Sequence, residues 1–109
     1  MKPRIYISGP ISGYDLDERR KEFKRAEEFL QEMEYIPVNP MENGLPDDAD
    51  THQHMKRDFQ LLIECDAIYM MRRWTHSAGC KVEFDVATAC GMKVVFEDAV
   101  HALTFIGFE

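Results

Sequence analysis

Two hydrophobic rhythms alternate along the chain. Short β-branched and aromatic runs are separated by longer segments whose apolar residues return every three or four positions. Arg4-Ile-Tyr-Ile-Ser8 is the first run, and the turn pair Gly9-Pro10 ends it, which predicts a strand. From Leu16 to Glu34 the residues Leu16, Phe23, Ala26, Phe29, Leu30 and Met33 recur at helical spacing, with Asp15 or Asp17 as N-cap. Tyr35-Ile-Pro-Val38 predicts a second strand, and Pro37 places it at a sheet edge. Asn39 to Asp50, rich in turn formers and acids, predicts a mobile surface loop. Thr51 is placed to cap a second helix running to about Glu64. Ala67-Ile-Tyr-Met-Met71 predicts a buried strand, Ser77 to Gly91 a third helix with its glycine stop, and Lys93-Val-Val-Phe96 a fourth strand.

Strands alternating with helices predict a parallel sheet covered on both faces, a small flavodoxin-like α/β domain spanning residues 1–109. The apolar tail from Ala99 to Glu109 is open between a short helix, a fifth strand and a subunit contact. Its Leu103-Thr-Phe-Ile-Gly-Phe108 segment needs a cover, which makes a homo-oligomer the expectation.

Composition narrows the partners. A net charge of −7 argues against a nucleic acid polymer, whose phosphates need a basic surface, but leaves room for a single nucleotide held by backbone N–H groups. No apolar run approaches the roughly 20 residues of a membrane span, and Met1-Lys-Pro-Arg4 leads directly into a strand without a signal-type apolar segment. Cys65, Cys80 and Cys90 are odd in number and lack CxxC spacing, which predicts free thiols and a cytoplasmic setting.

In such sheets ligands sit beyond the carboxyl ends of the strands, and three features fall there. Ser8-Gly-Pro-Ile-Ser-Gly13 follows the first strand. It is either a plain turn or a loop in which Gly9 admits a ligand while Ser8 and Ser12 offer hydroxyls. It matches neither a phosphate-binding P-loop nor a dinucleotide fingerprint. Ser77-Ala-Gly79 opens the third helix as either an N-cap or a phosphate seat, two roles that share one geometry.

The third feature is a pair of misplaced carboxylates. Lys81, Asp85 and Thr88 form the polar stripe of the third helix, whereas Glu83, about 200° round from Lys81, shares a face with Val86, Ala87 and Cys90. On the second helix Gln53, Lys56, Arg57, Gln60 and Glu64 make the polar face, and Asp58 instead neighbours His54, Met55, Leu61 and Leu62. An unpaired buried carboxylate costs several kcal/mol and titrates towards neutral. Two facing carboxyls, one ionised and one protonated, are what cutting a glycosidic bond needs. The helix N-terminus favours an ionised Glu83 as nucleophile and leaves mid-helix Asp58 as the proton-carrying acid.

Smaller features are ambiguous. Trp74 and His76 either stack on a base or form a hydrophobic cover. His52-x-His54 with Asp50 and Asp58 suggests a metal, but residues two apart on a helix point away from each other. Arg72-Arg73 either meets a phosphate or is simply solvated. The acidic stretch from Glu42 to Asp50 is either a lid or plain surface.

The order of these pieces resembles the nucleoside 2-deoxyribosyltransferase superfamily. The likeness runs from about Arg4 to Phe96 through Tyr6-Ile-Ser-Gly-Pro10, Asp58 ahead of the Cys65-Asp-Ala-Ile-Tyr-Met-Met71 strand, Ser77-x-Gly79-x-x-x-Glu83-x-x-x-Ala87, and Gly91-x-Lys93-Val-Val. It is similar to small, often phage-borne members and to the deoxynucleoside 5′-monophosphate N-glycosidases. The resemblance implies that Glu83 attacks C1′, Asp58 handles the base or its proton, Tyr6 positions Glu83, and Ser77 contacts a 5′-phosphate.

It further implies an N-glycosidase of a nucleoside or nucleotide, with deoxyribosyl transfer as a second capacity, subunits paired around the sites, and no metal or organic cofactor. Serine at 77, where nucleoside-specific transferases carry aspartate, points to a phosphorylated substrate. Pro10 and Ser12 stand where the glycosidases have further phosphate contacts, a gap that Arg19 or Arg20 would have to fill. The chain is shorter at its C-terminus than the transferases, which favours hydrolysis over transfer. The rival expectations are a non-catalytic nucleotide-binding or host-interaction module, and purely structural carboxylates.

Overall fold

A computed structural model of the chain describes residues 1–100; the apolar segment from Leu103 to Phe108 lies outside the described residues. Four parallel strands, β1 (Arg4–Ser8), β2 (Ile36–Val38), β3 (Ala67–Met70) and β4 (Lys93–Phe96), form one sheet in the order β2-β1-β3-β4. The connecting helices are α1 (Leu16–Glu32), α2 (Thr51–Ile63) and α3 (Ala78–Ala89). The α/β class, the parallel sheet and the flavodoxin-like order agree with the hydrophobic rhythm, and Pro37 lies on the edge strand, where its missing N–H costs no ladder bond.

Strand alternation sorts the core into two layers. Ile5 and Ile7 of β1, with Ala67 and Tyr69 of β3, pack on Phe23, Ala26 and Leu30 of α1. Tyr6 of β1, with Ile68 and Met70 of β3, packs on the other face with Leu62 of α2 and Cys80 and Ala87 of α3. Each large apolar side chain so buried contributes about 1.5–3 kcal/mol. Successive strand residues face opposite ways, so Tyr6 points to the side that carries α2 and α3.

Local chemistry fixes the helix ends. Asp15 caps α1 by accepting from Glu18 N–H (3.0 Å). Asp50, rather than the expected Thr51, caps α2. Its carboxylate accepts from Gln53 N–H, while the Gln53 side chain accepts from Asp50 N–H, each at 3.1 Å. That reciprocal box satisfies two donors at once, which a Thr51 cap would not. Gly91 (φ 71°) ends α3 in the left-handed region.

The chain from Asn39 to Asp50 is not simply a mobile surface loop. Pro40–Glu42 form a turn of 3-10 helix capped by the Asn39 side chain, and Asn43 is buried. Glu27, buried on α1, accepts from Asn39 Nδ2 and Lys24 Nζ, each at 3.0 Å. The three cysteines are unpaired, Cys65 and Cys80 buried and Cys90 exposed. Among the described residues no helix is long and apolar enough to cross a membrane.

Candidate active site

β1 has neighbours on both sides, and the connections leaving β1 and β2 run in opposite directions across the sheet. That reversal opens a crevice at the strands' carboxyl ends. A cavity of about 650 Å3 lies there, within the span of about 300–1,000 Å3 usual for small-molecule sites. Its walls come from the loop after β1, the loop after β2, the inner face of α2 and the first turns of α3.

Glu83 is at the cavity's edge and is held from beneath. Tyr6 donates its hydroxyl to Oε2 and Ser8 donates to Oε1, both at 2.7 Å. Each carboxylate oxygen thus accepts one hydrogen bond and keeps a lone pair for a ligand. Burial pushes the Glu83 carboxyl up to about 7; the two hydroxyl bonds act downward and the charge of Asp58 acts upward. The expectation that the helix N-terminus keeps Glu83 ionised gives way to burial. Glu83 lies in the second turn of α3, past the first turn where the dipole acts. Tyr6 is raised well above its ordinary value, first by burial and then by the charges of Glu83 and Asp58, so it stays a donor.

Asp58 lines the same cavity from α2. Its Oδ1 accepts from Asn43 Nδ2 at 2.9 Å. Burial raises the Asp58 carboxyl, opposed by that bond and by the charges of His54 and Arg57. Asn43 escaped the sequence reading, because its partners are 11 and 15 residues away and only the folded loop brings them together. The dipeptide Asn43-Gly44, a turn signal with Gly44 at φ 88°, is the one local hint.

The remaining candidates divide. Ser12, Ser77 and Gly79 line the cavity. Ser77 caps α3 by accepting from Cys80 N–H (3.2 Å), which leaves its hydroxyl proton to donate elsewhere. Ser8 is fully buried and its hydroxyl is engaged by Glu83, so it orients the carboxylate rather than touching a ligand. Gly9 lines the cavity, yet its glycine is required from behind: a Cβ there would meet Met71 Sδ at 2.5 Å and Phe23 Cζ at 3.1 Å. Trp74 does not line the cavity. Its indole packs on Phe84 (4.9 Å) and Phe96 (6.1 Å), whereas His76 beside it does line the cavity.

The basic residues are engaged elsewhere. Arg19 is buried, donates from Nε to the Pro10 carbonyl (2.7 Å), and stacks on Tyr14 and Phe23. Arg20 pairs with Asp47. Arg72 pairs with Asp98, and Arg73 stacks on Tyr14 at 5.3 Å. Two guanidinium groups therefore lie over the Tyr14 ring, which leaves less of it to stack on a base. Among the described residues no group of three or more His, Cys, Asp or Glu side chains is arranged to hold a metal ion.

Two tests follow from this geometry. Tyr6→Phe removes a donor that acts downward on Glu83, so the Glu83 carboxyl resonance is expected to titrate at higher pH than in the parent protein. Gly79 has no packing reason to be glycine, since an added Cβ would find only Ser77 Oγ at 3.9 Å. Alanine is favoured over glycine within helices by about 1 kcal/mol, so Gly79→Ala is expected to keep or raise Tm. Its methyl would occupy the helix mouth, so if that mouth seats an anion, binding should weaken by about tenfold, as read by calorimetry.

The likeness to known proteins concerns fold and family. No curated protein matches the chain. A crystal structure of a conserved protein from Enterococcus faecalis V583 superposes with a TM-score of 0.65 at 24% identity, over 88% of this chain. The chain spans 63% of that protein's length, and the likeness carries the fold alone. Residues 3–96 match the family model described as a domain of unknown function, DUF4406. The chain belongs to the DUF4406 family.

Proposed function

We propose that this protein is an N-glycosidase that cleaves the base–sugar bond of a nucleoside or its 5′-monophosphate, within or near the nucleoside 2-deoxyribosyltransferase superfamily. The observation that carries the reading is one carboxylate, Glu83, clamped by two buried hydroxyls at the edge of a nucleotide-sized cavity that Asp58 also lines. A structural carboxylate would not need an open cavity beside it. Burial, which raises both acids against the hydroxyl bonds on Glu83 and the charges of His54 and Arg57 near Asp58, suits a site that changes charge as it works.

In this reading a Glu83 oxygen attacks C1′ and the C1′–N bond breaks, its electron pair leaving on the base. Asp58 gives its proton to the departing base, and the sugar remains as an ester on Glu83. Asp58 then takes a proton from water, whose oxygen attacks C1′ and frees Glu83. Tyr6 and Ser8 fix the direction of the attacking oxygens. Ser77 and the amide groups at the start of α3 receive the 5′-phosphate, a task for which the arginines around the site are not free.

Incubation with a panel of ribo- and deoxyribonucleoside monophosphates, followed by chromatography for free base, tests the reaction. Release of base from at least one member is expected. Tight binding with no release, unchanged by Glu83→Gln, would reassign the protein to a nucleotide-binding module.

A further inference from the structure

The structure assigns a second role in this cavity: Asn43 sorts the protons of the α2 wall, so that Asp58 and His54 act together as two donors for the paired acceptors of a 6-oxopurine. This inference rests on the glycosidase reading and extends it to the base.

The Asn43 side chain is held at both ends of its amide. Its Oδ1 accepts from Leu45 N–H at 3.0 Å, which fixes the amide with its nitrogen turned to α2. Arg57 Nε holds the Asn43 carbonyl at 3.1 Å, so the backbone is anchored as well. The Nδ2 group has two hydrogens and two neighbours, Asp58 Oδ1 at 2.9 Å and His54 Nδ1 at 3.1 Å. Asn43 is buried, and its side-chain donors and acceptor are thereby all satisfied within the protein.

Both neighbours must accept at the atoms that face Asn43. A neutral His54 therefore has its proton on Nε2, and a proton held by Asp58 sits on Oδ2. Among the described residues no protein group takes up either of those two atoms. The two side chains lie one helical turn apart, and both line the cavity. The wall thus offers two donors side by side. Guanine presents two acceptors, N7 and O6, on one edge, while adenine places an amino donor beside N7. Delivery of the Asp58 proton to N7 is also the proton transfer that the departing purine needs. An adenine amino group would instead meet the His54 N–H, donor against donor.

The test uses Glu83→Gln protein, so that ligands bind without turnover, with 2′-deoxyguanosine and 2′-deoxyadenosine 5′-monophosphates as calorimetric probes. The guanine nucleotide is expected to bind about tenfold or more tightly. Adding His54→Phe should remove most of that preference by weakening the guanine nucleotide and relieving the adenine one, and His54→Gln, which restores an N–H donor, should recover part of it. Nitrogen NMR of the histidine rings in the ligand-free protein should show the proton of neutral His54 on Nε2, a readout independent of any ligand.

Equal binding of the two nucleotides, or a preference untouched by His54→Phe, overturns this inference; base release by the parent protein would still leave the glycosidase reading standing. A proton on Nδ1 of neutral His54 overturns it as well. Failure of both nucleotides to bind overturns it too, while the glycosidase reading falls only if the whole panel of monophosphates fails to release base.

Discussion

Glu83→Gln is expected to abolish base release, by on the order of 10^4-fold or more as for the loss of a covalent nucleophile, while making the protein more stable at pH 8. The second half follows from the ionisation. Folding moves the Glu83 carboxyl from 4.5 up to about 7. A raised carboxyl gives stability that is present in full below 4.5 and is lost as pH rises through 7, because the folded state holds a proton that the unfolded chain has released. Once ionised, the buried group costs about 3 kcal/mol.

Glutamine keeps an acceptor for one of the two hydroxyls, presents its NH2 to the other, which can turn to accept, and carries no charge to bury. At pH 8 the variant should therefore gain about 2–3 kcal/mol, a rise in Tm on the order of 10 °C for a domain of this size. At pH 4.5 the gain should disappear. Differential scanning calorimetry at the two pH values reads this directly, and a variant less stable at both would contradict the burial argument. A group that weakens the fold when charged and is essential to turnover is the pattern of a working site.

The second large effect is on rate against pH. Cleavage needs Glu83 ionised and Asp58 protonated, so kcat/KM should be bell-shaped, with the Glu83 limb near 7 and a change of about tenfold per pH unit beyond each limb. Because either placement of the single proton gives the same bell, Asp58→Asn separates the roles: with one acid left, the residual rate should climb about tenfold per pH unit below 7 and flatten above it. Had Glu83 been the proton donor, the residual rate of Asp58→Asn would fall through this window instead. Stopped assays for free base across the range, with the fold monitored by circular dichroism, decide between the two profiles.

The strands, the helices and the inward turn of Glu83 and Asp58 were legible because each depends on spacing within one element. Tyr6 and Ser8 share a face of β1, but a serine at a strand end suits a ligand or a neighbouring carboxylate equally, and only the folded chain brings Glu83 to it. What spacing could not carry was competition between distant groups. The ionisation of Glu83 is decided by the depth of burial, a property of the packed layers, and not by the helix terminus that sequence makes visible. Asn43 depends on a loop folding back over α2. Trp74 faces Phe84 and Phe96, two aromatics from separate elements, and so is drawn away from the cavity. Gly9 and Gly79 look alike in sequence, but one is demanded by Met71 and Phe23 behind it and the other by nothing inside the protein.

Intact-mass spectrometry after incubation with a 2′-deoxy-2′-fluoroarabino nucleotide, whose fluorine slows release of the glycosyl ester, tests the nucleophile most directly. The predicted result is a mass gain of one sugar phosphate that maps to the peptide containing Glu83 and is absent from Glu83→Gln. A folded protein that binds the nucleotide but acquires no such mass, or acquires it at another residue, would contradict the account.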